Sequence, residues 1–214
     1  MSGISEQNCR ADLDGLSDEQ LMARVRDSTD QAAFARLVHR YERPIYSYLL
    51  RYTYDASLAE EAFQGAFLRL YQRRHLFQSG RGFKPWLYSI ATHVAIDHLR
   101  REGRHRAVSL DEQHLDNEDN PAGLIDLLES QLPSPQAESQ LEENRDWTHE
   151  AMRELPAPLF DVILLIYFAG FKYREAAEIL DVPLGTVKSR SHKALMMLNL
   201  AWQRDHPNTE GPNG

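Results

Sequence analysis

The chain is poor in the residues that would point to several common functions. It has a single cysteine, Cys9, among 214 residues, so no internal disulfide can form, and a reducing cytoplasm is the expected compartment. No apolar run approaches the roughly 20 residues that a membrane span needs. The first residues, Met1 to Glu6, carry no basic stretch followed by an apolar one, so no secretory signal is expected. Strand-period alternation and internal repeats are both missing. His93, His98 and His105 lack the helical spacing of metal ligands, and no cysteine lies near them; no metal is expected. Gly80-Arg81-Gly82 is not followed by Gly-Lys-Ser/Thr, so a phosphate loop is not indicated. Neither a Ser-His-Asp set nor a paired-carboxylate arrangement stands out. No catalytic residue and no cofactor are expected.

Positive charge is also scarce on average, the net charge being -8, but its distribution is uneven. Between Arg69 and Arg106 nine Arg and Lys face only Asp97 and Glu102. Between Asp111 and Asp161 many acids stand against Arg145 and Arg153. From Leu184 to Arg204 there are Lys188, Arg190, Lys193 and Arg204 and no acid. Two basic blocks therefore flank an acidic one, a pattern that holds the basic blocks to phosphates and keeps the acidic block off them.

The periodicity is helical throughout, and the expected class is all-α in two modules. Residues 1–16 read as a flexible tail and 17–103 as the first module. Ser17-Asp18-Glu19-Gln20 is a capping-box pattern that should open a short helix to about Asp27. Thr29 could cap a longer helix with Phe34, Leu37, Val38, Tyr41, Ile45, Tyr46, Leu49 and Leu50 on one face; Pro44 either kinks it or starts a new one. Asp55 or Ser57 begins a third helix, to about Arg74. A glycine-rich loop, Gln78 to Gly82, precedes a fourth from about Lys84 to Arg101. Residues 104–136 read as an acidic linker, with a weakly apolar island at Leu124–Leu128. The second module, 137–204, holds helices at about 137–154, 159–168, 173–180 and 184–203, and 205–214 is a polar, flexible tail.

The last two helices are joined by Asp181-Val182-Pro183, a tight stop and restart that makes a helix-turn-helix. At about 100° per residue, Val187, Ser191, Ala194 and Leu198 of the second helix fall on one arc and should pack inward. Lys188, Ser189, His192 and Lys193 fall on the opposite arc, with Arg190 on its flank and Thr186 near the helix start. A basic, acid-free face suits a major groove, where these side chains reach phosphates and base edges.

In the first module, Leu58, Ala62, Phe63, Ala66 and Leu70 make a buried arc. Glu60, Glu61, Gln64, Leu68 and Tyr71 make the other, whose mixture of acids, amide and apolar groups suits a protein partner. The following stretch sets Phe77, Gln78, Ser79, Gly80, Arg81 and Lys84 beside a helix with Leu87, Ile90, Ala91 and Val94 inward. Trp86, His93 and Arg100 recur every seventh residue. Aromatic, hydrogen-bonding and cationic groups beside a basic loop are what single-stranded DNA requires, although Trp86 also fits a core position.

These motifs resemble the extracytoplasmic-function sigma factors of the sigma-70 family. Leu155-Pro156, Gly170 to Leu180 and the run Val182-Pro183-Leu184-Gly185-Thr186-Val187-Lys188-Ser189-Arg190 look like region 4. Ala176, Phe160 and Leu195 depart from its usual residues. Leu58 to Tyr71 resembles region 2.2, with Glu61 for a common Asp and Gly65 for a usual acid. Phe83-Lys84-Pro85-Trp86-Leu87-Tyr88-Ser89-Ile90-Ala91 and Asp97-His98-Leu99-Arg100 resemble regions 2.3 and 2.4, with His93 for a usual Asn. The resemblance implies a non-enzymatic subunit of bacterial RNA polymerase. Glu60, Glu61, Gln64, Leu68 and Tyr71 would dock on the clamp helices of the core. Phe77 to Arg81, Lys84, Trp86, His93 and Arg100 would melt the minus-ten element and hold a flipped base. Thr186, Lys188, Ser189, Arg190, His192 and Lys193 would read the minus-thirty-five duplex. An anti-sigma factor is a further expected partner. Two other readings of the residues stay open: a stand-alone helix-turn-helix regulator, and a helical adaptor that binds no DNA.

Overall fold

The computed structural model describes residues 13–103 and 147–206, and every regular element among them is helical. The chain separates into two compact units, Met1–His105 and Arg106–Gly214. No helix among the described residues is long and apolar enough to cross a membrane. The expected linker, residues 104–136, lies outside the described residues, as do 1–12, 137–146 and 207–214.

The first unit opens earlier than its capping box. Leu13 is buried, and Asp14 meets Arg36 Nη2 through Oδ1 at 2.7 Å and accepts from Arg40 through its carbonyl. Residues 13–16 are thus packed against the module and do not belong to a tail. Helix α1, Asp18–Ser28, starts on the capping box: Gln20 N–H donates to Ser17 Oγ, and Ser17 N–H to Gln20 Oε1. It buries Leu21, Met22 and Val25. Thr29 does not cap the next helix. It takes the left-handed conformation that ends α1, and Asp30 caps the next helix, accepting from the amides of Ala32 and Ala33.

Helix α2, Gln31–Thr53, runs through Pro44 without a break. Pro44 lies on the exposed side, so the carbonyl it leaves unbonded can meet water. Its buried face is rotated from the expected one. Tyr48 and Tyr52 are inside, Phe34, Val38 and Tyr46 are half-buried, and Leu50 is exposed. Tyr48 is drawn in by a later helix, where its hydroxyl meets Thr92 Oγ1 at 2.7 Å and its ring the edge of Tyr88.

Helix α3, Ala56–Gln72, is capped by Asp55 through the amides of Ser57 and Leu58. A 3-10 turn, Arg74–Leu76, and the loop to Gly82 lead to α4, Phe83–Arg101. Helix α4 packs against α1, α2 and α3. Its large buried surface, Phe83, Trp86, Leu87, Tyr88, Ile90, Ala91, Thr92, Val94 and Ala95, makes it the centre of the unit.

In the second unit residues 147–154 are helical (α5). Pro156 starts α6, Ala157–Ile163, where a missing N–H removes only a donor the helix end would leave orphaned. The chain then widens into π-helical turns, Leu164–Phe168, and Gly170 at φ +70° releases it. Helix α7, Tyr173–Leu180, and helix α8, Leu184–Asp205, complete the unit. Helix α8 packs on both α6 and α7.

Candidate nucleic-acid interface

Glu175 turns back to accept from the Lys172 N–H at 2.8 Å and fixes the start of α7. Asp181 ends it in the left-handed region, φ 54°, and its amide and that of Val182 bond to the Ala177 carbonyl. A three-residue corner results, and Pro183 cannot extend α7. Val187, Ser191, Ala194 and Leu198 of α8 are all buried, as their arc requires. The Ser191 hydroxyl finds the Tyr173 hydroxyl at 3.3 Å, so the buried polar group of this seam is satisfied by α7. Leu195 is buried too and widens the packed face. Lys188 and Ser189 are exposed; Thr186, Arg190, His192 and Lys193 are half-buried. Helix α8 carries no acid before its last residue, Asp205, so cations near its start face an anion without competition from their own helix. Pro183 supplies no capping side chain, so the first α8 amides can be offered to a phosphate.

The expected tail begins too early by two residues. Helix α8 continues through Asp205, whose carboxylate accepts from Trp147 Nε1 at 3.0 Å and from Arg204. His206 stacks on Trp202, and Trp202 meets Trp147 edge to face. The end of α8 is thereby joined to the start of α5.

In the first unit, Glu60, Glu61, Gln64 and Leu68 of α3 are exposed, Leu68 by 59%, and Tyr71 is half-buried. Gln64 donates to Glu60 Oε1 at 2.8 Å. The opposite face differs from the expected arc at three residues: Phe67 and Ala59 are buried, and Phe63 is only half-buried, lying tilted against Phe67. Gly65 lies on the α4 side. A Cβ there would stand 3.2 Å from Val94 Cγ1 and 3.8 Å from His98 Nε2. The absent side chain allows α3 and α4 to approach, and an acid would be driven into that seam. Glu61–His98 at 3.5 Å and Arg69–Asp97 at 3.2 Å flank it. Arg69, counted with the basic block, is therefore spent on the fold.

The loop after α3 corrects the aromatic part of the single-strand reading. Gln78, Ser79, Gly80 and Arg81 are exposed, with Gly80 at φ +97°, and Lys84 is half-buried. Phe77 and Trp86, at 3% and 8% exposure, are core residues. Their rings lie 5.2 Å apart, and Phe83 closes the cluster at 6.2 Å from Phe77 and 6.4 Å from Trp86. Neither presents a face to a base; they form the floor on which the loop rests. His93 and Arg100 do reach solvent. The Nδ1 of His93 lies 2.6 Å from the Ser89 carbonyl, which can only accept, so the neutral ring offers Nε2 outward as an acceptor.

Two residues of α1, unsuspected in the sequence, hold this loop. Arg26 Nη1 donates to the Phe77 carbonyl at 3.0 Å and to Ser79 Oγ at 3.1 Å. Glu19 Oε1 accepts from the Phe83 N–H at 3.0 Å. The only signal in the sequence was indirect: Gly82 brings no side chain to cap α4, so the first α4 amide needed an acceptor from elsewhere.

Comparison with known proteins agrees with this geometry on both units. Residues 37–105 match the family described as sigma-70 region 2, and residues 145–198 that described as sigma-70, region 4. The chain is 31% identical over 186 residues to the RNA polymerase sigma-H factor of Pseudomonas aeruginosa, covering 87% of this chain and 94% of that one. It is 33% identical over 179 residues to the ECF RNA polymerase sigma-E factor of Escherichia coli, covering 84% and 91%. Among solved structures, CnrH in complex with the cytosolic domain of CnrY has a similar fold. The TM-score is 0.61 at 19% identity, over 88% of this chain and 98% of that one. The sigma factor RpoE in complex with the anti-sigma factor NepR, from Bartonella quintana, gives 0.56 at 22% identity, over 80% and 98%.

Proposed function

This chain belongs to the extracytoplasmic-function sigma factors of the sigma-70 family, and from that premise we propose how its residues divide the work. As a sigma factor it binds the RNA polymerase core and directs it to specific promoters. In the proposed division, Glu60, Glu61, Gln64, Leu68 and Tyr71 dock α3 on the clamp helices of the core. The α8 face, Thr186, Lys188, Ser189, Arg190, His192 and Lys193, reads the minus-thirty-five duplex. The loop Gln78–Arg81, with Lys84, His93 and Arg100, receives the minus-ten strand as it opens, over the floor made by Phe77 and Trp86.

The observation that carries this reading is the union, in one chain, of an acid-free α8 face in the second unit with a first unit whose exposed Glu60–Leu68 face accompanies a basic glycine loop. A regulator that binds duplex alone has no use for the second feature. Unstacking a base costs a few kcal/mol; contacts from Arg81, His93 and Arg100 to the released strand offset it, and the core holds both DNA grips on one promoter. The protein performs no bond chemistry in this scheme, since RNA synthesis belongs to the core. Its place is the cytoplasm, where an anti-sigma factor, as in the neighbouring complexes, would be a natural regulator.

Run-off transcription with purified core and a promoter library tests the proposal. Added protein should yield promoter-dependent transcripts, and Leu68→Glu should remove them by lowering affinity for the core while leaving helix content intact. The absence of any transcript with the parent chain would sink it.

A further inference from the structure

We propose that α1 is a clamp that holds the loop between Phe77 and Phe83 in its DNA-receiving shape, with Arg26 and Glu19 as positioning residues. The proposal rests on the reading of that loop as the minus-ten receiver. Glu19 and Arg26 are two helical turns apart on α1, about 10 Å along its axis, and they take hold of opposite ends of the loop. At one end Arg26 works as a fork. Its Nε and Nη2 lie on the Asp27 carboxylate at 2.6 and 3.0 Å, which fixes the guanidinium plane. Its Nη1 then reaches the Phe77 carbonyl and the Ser79 hydroxyl together. At the other end the Glu19 carboxylate takes the first amide of α4, the place where a helix favours negative charge.

Between these holds the loop closes on itself. The Arg81 amide donates to the Gln78 carbonyl at 3.2 Å, and Gly80 takes a φ of +97° that a side chain would resist. Phe77, Phe83 and Trp86 support it from beneath. The side chains of Gln78 and Arg81 stay exposed. A loop ordered in the free protein loses less conformational entropy when a strand binds, so its contacts appear more fully as affinity. Arg26 and Glu19 would then act on DNA binding without touching DNA.

The full chain, assembled with core polymerase, is titrated with a fluorescent single-stranded minus-ten oligonucleotide. Arg26→Ala and Glu19→Ala should each weaken binding by about tenfold, the scale of one lost charge-assisted hydrogen bond. Glu19→Gln, which keeps an acceptor oxygen, should bind nearly as the parent does. Arg26→Lys should not recover, because an ammonium cannot hold the carboxylate and both loop acceptors in one plane. Hydrogen exchange at the Arg81 amide should quicken in Arg26→Ala while amides of α2 and α3 stay protected. Parental affinity in both Ala variants overturns the clamp, and so does Glu19→Gln binding as weakly as Glu19→Ala. Arg81→Ala separates the two ideas. If it loses affinity while the α1 variants do not, the clamp falls and the loop reading stands; if it too binds as the parent does, both fall.

Discussion

Replacing Trp86 by alanine separates a base-stacking role from a structural one. Trp86 is 8% exposed and lies within a cluster that includes Phe77 and Phe83. Truncating so large a buried ring costs about 3–5 kcal/mol, a substantial share of the roughly 5–15 kcal/mol that holds a domain folded. With a urea slope of about 1.5 kcal/mol/M, the midpoint of the first unit should fall by about 2–3 M. Circular dichroism follows helix in both units, while fluorescence of Trp147 and Trp202, the two remaining tryptophans, reports the second alone, so a transition seen only by dichroism belongs to the first. Trp86→Phe keeps a ring in the same floor and should lose less than half as much stability. Promoter opening should decline in step with folding of the first unit across both variants. An unchanged urea midpoint in Trp86→Ala together with lost opening would refute the core assignment and restore the stacking role.

Other consequences are open to measurement. Lys188→Ala and Lys193→Ala should each weaken binding to the upstream duplex and lower the slope of log K against log salt by about 1 in gel-shift titrations; an unchanged slope would place these lysines off the phosphates. Ser17→Ala removes half of the capping box and should cost about 1 kcal/mol in thermal unfolding of the first unit; no loss would mean that tertiary contacts alone hold the start of α1. Hydrogen bonds from Arg204 and then Trp147 lower the Asp205 pKa from 3.8 to about 2. The folded value is below the unfolded one, so the contribution of Asp205 is complete above about pH 4 and lost as pH falls toward 2. Acid unfolding followed by tryptophan fluorescence should therefore lose its dependence in that window in Asp205→Asn.

The two-unit helical plan and the division of α8 into a packed arc and a basic, acid-free face were legible because both are local. Val187, Ser191, Ala194 and Leu198 recur at the helical period, and Pro183 marks the corner wherever the rest of the chain goes. The Ser17–Gln20 box likewise needs no partner beyond its own turn. The cap expected at Thr29 moved by one residue, because the left-handed end of α1 uses Thr29 and leaves Asp30 to cap α2.

The burial of the residues proposed to receive a single strand was half legible, because an aromatic stripe carries no label for inside or outside. Gln78, Arg81, His93 and Arg100 remained at the surface, but Phe77 and Trp86 went under the loop, since α1, α2 and α3 cover α4 on so many sides that its amphipathic pattern nearly vanishes. Gly65 read only as a departure from the family's usual acid until the packing set Val94 3.2 Å from its missing Cβ. Local periodicity, caps and charge blocks thus set the helices, the class and the basic face of α8 from the sequence alone, since those properties act over one or two turns. Which aromatics are floor, and which distant residues, Arg26 and Glu19, grip the loop, was decided only by the tertiary structure. Hydrogen bonds between residues 51 to 64 positions apart depend on how whole helices pack, and no local pattern encodes that.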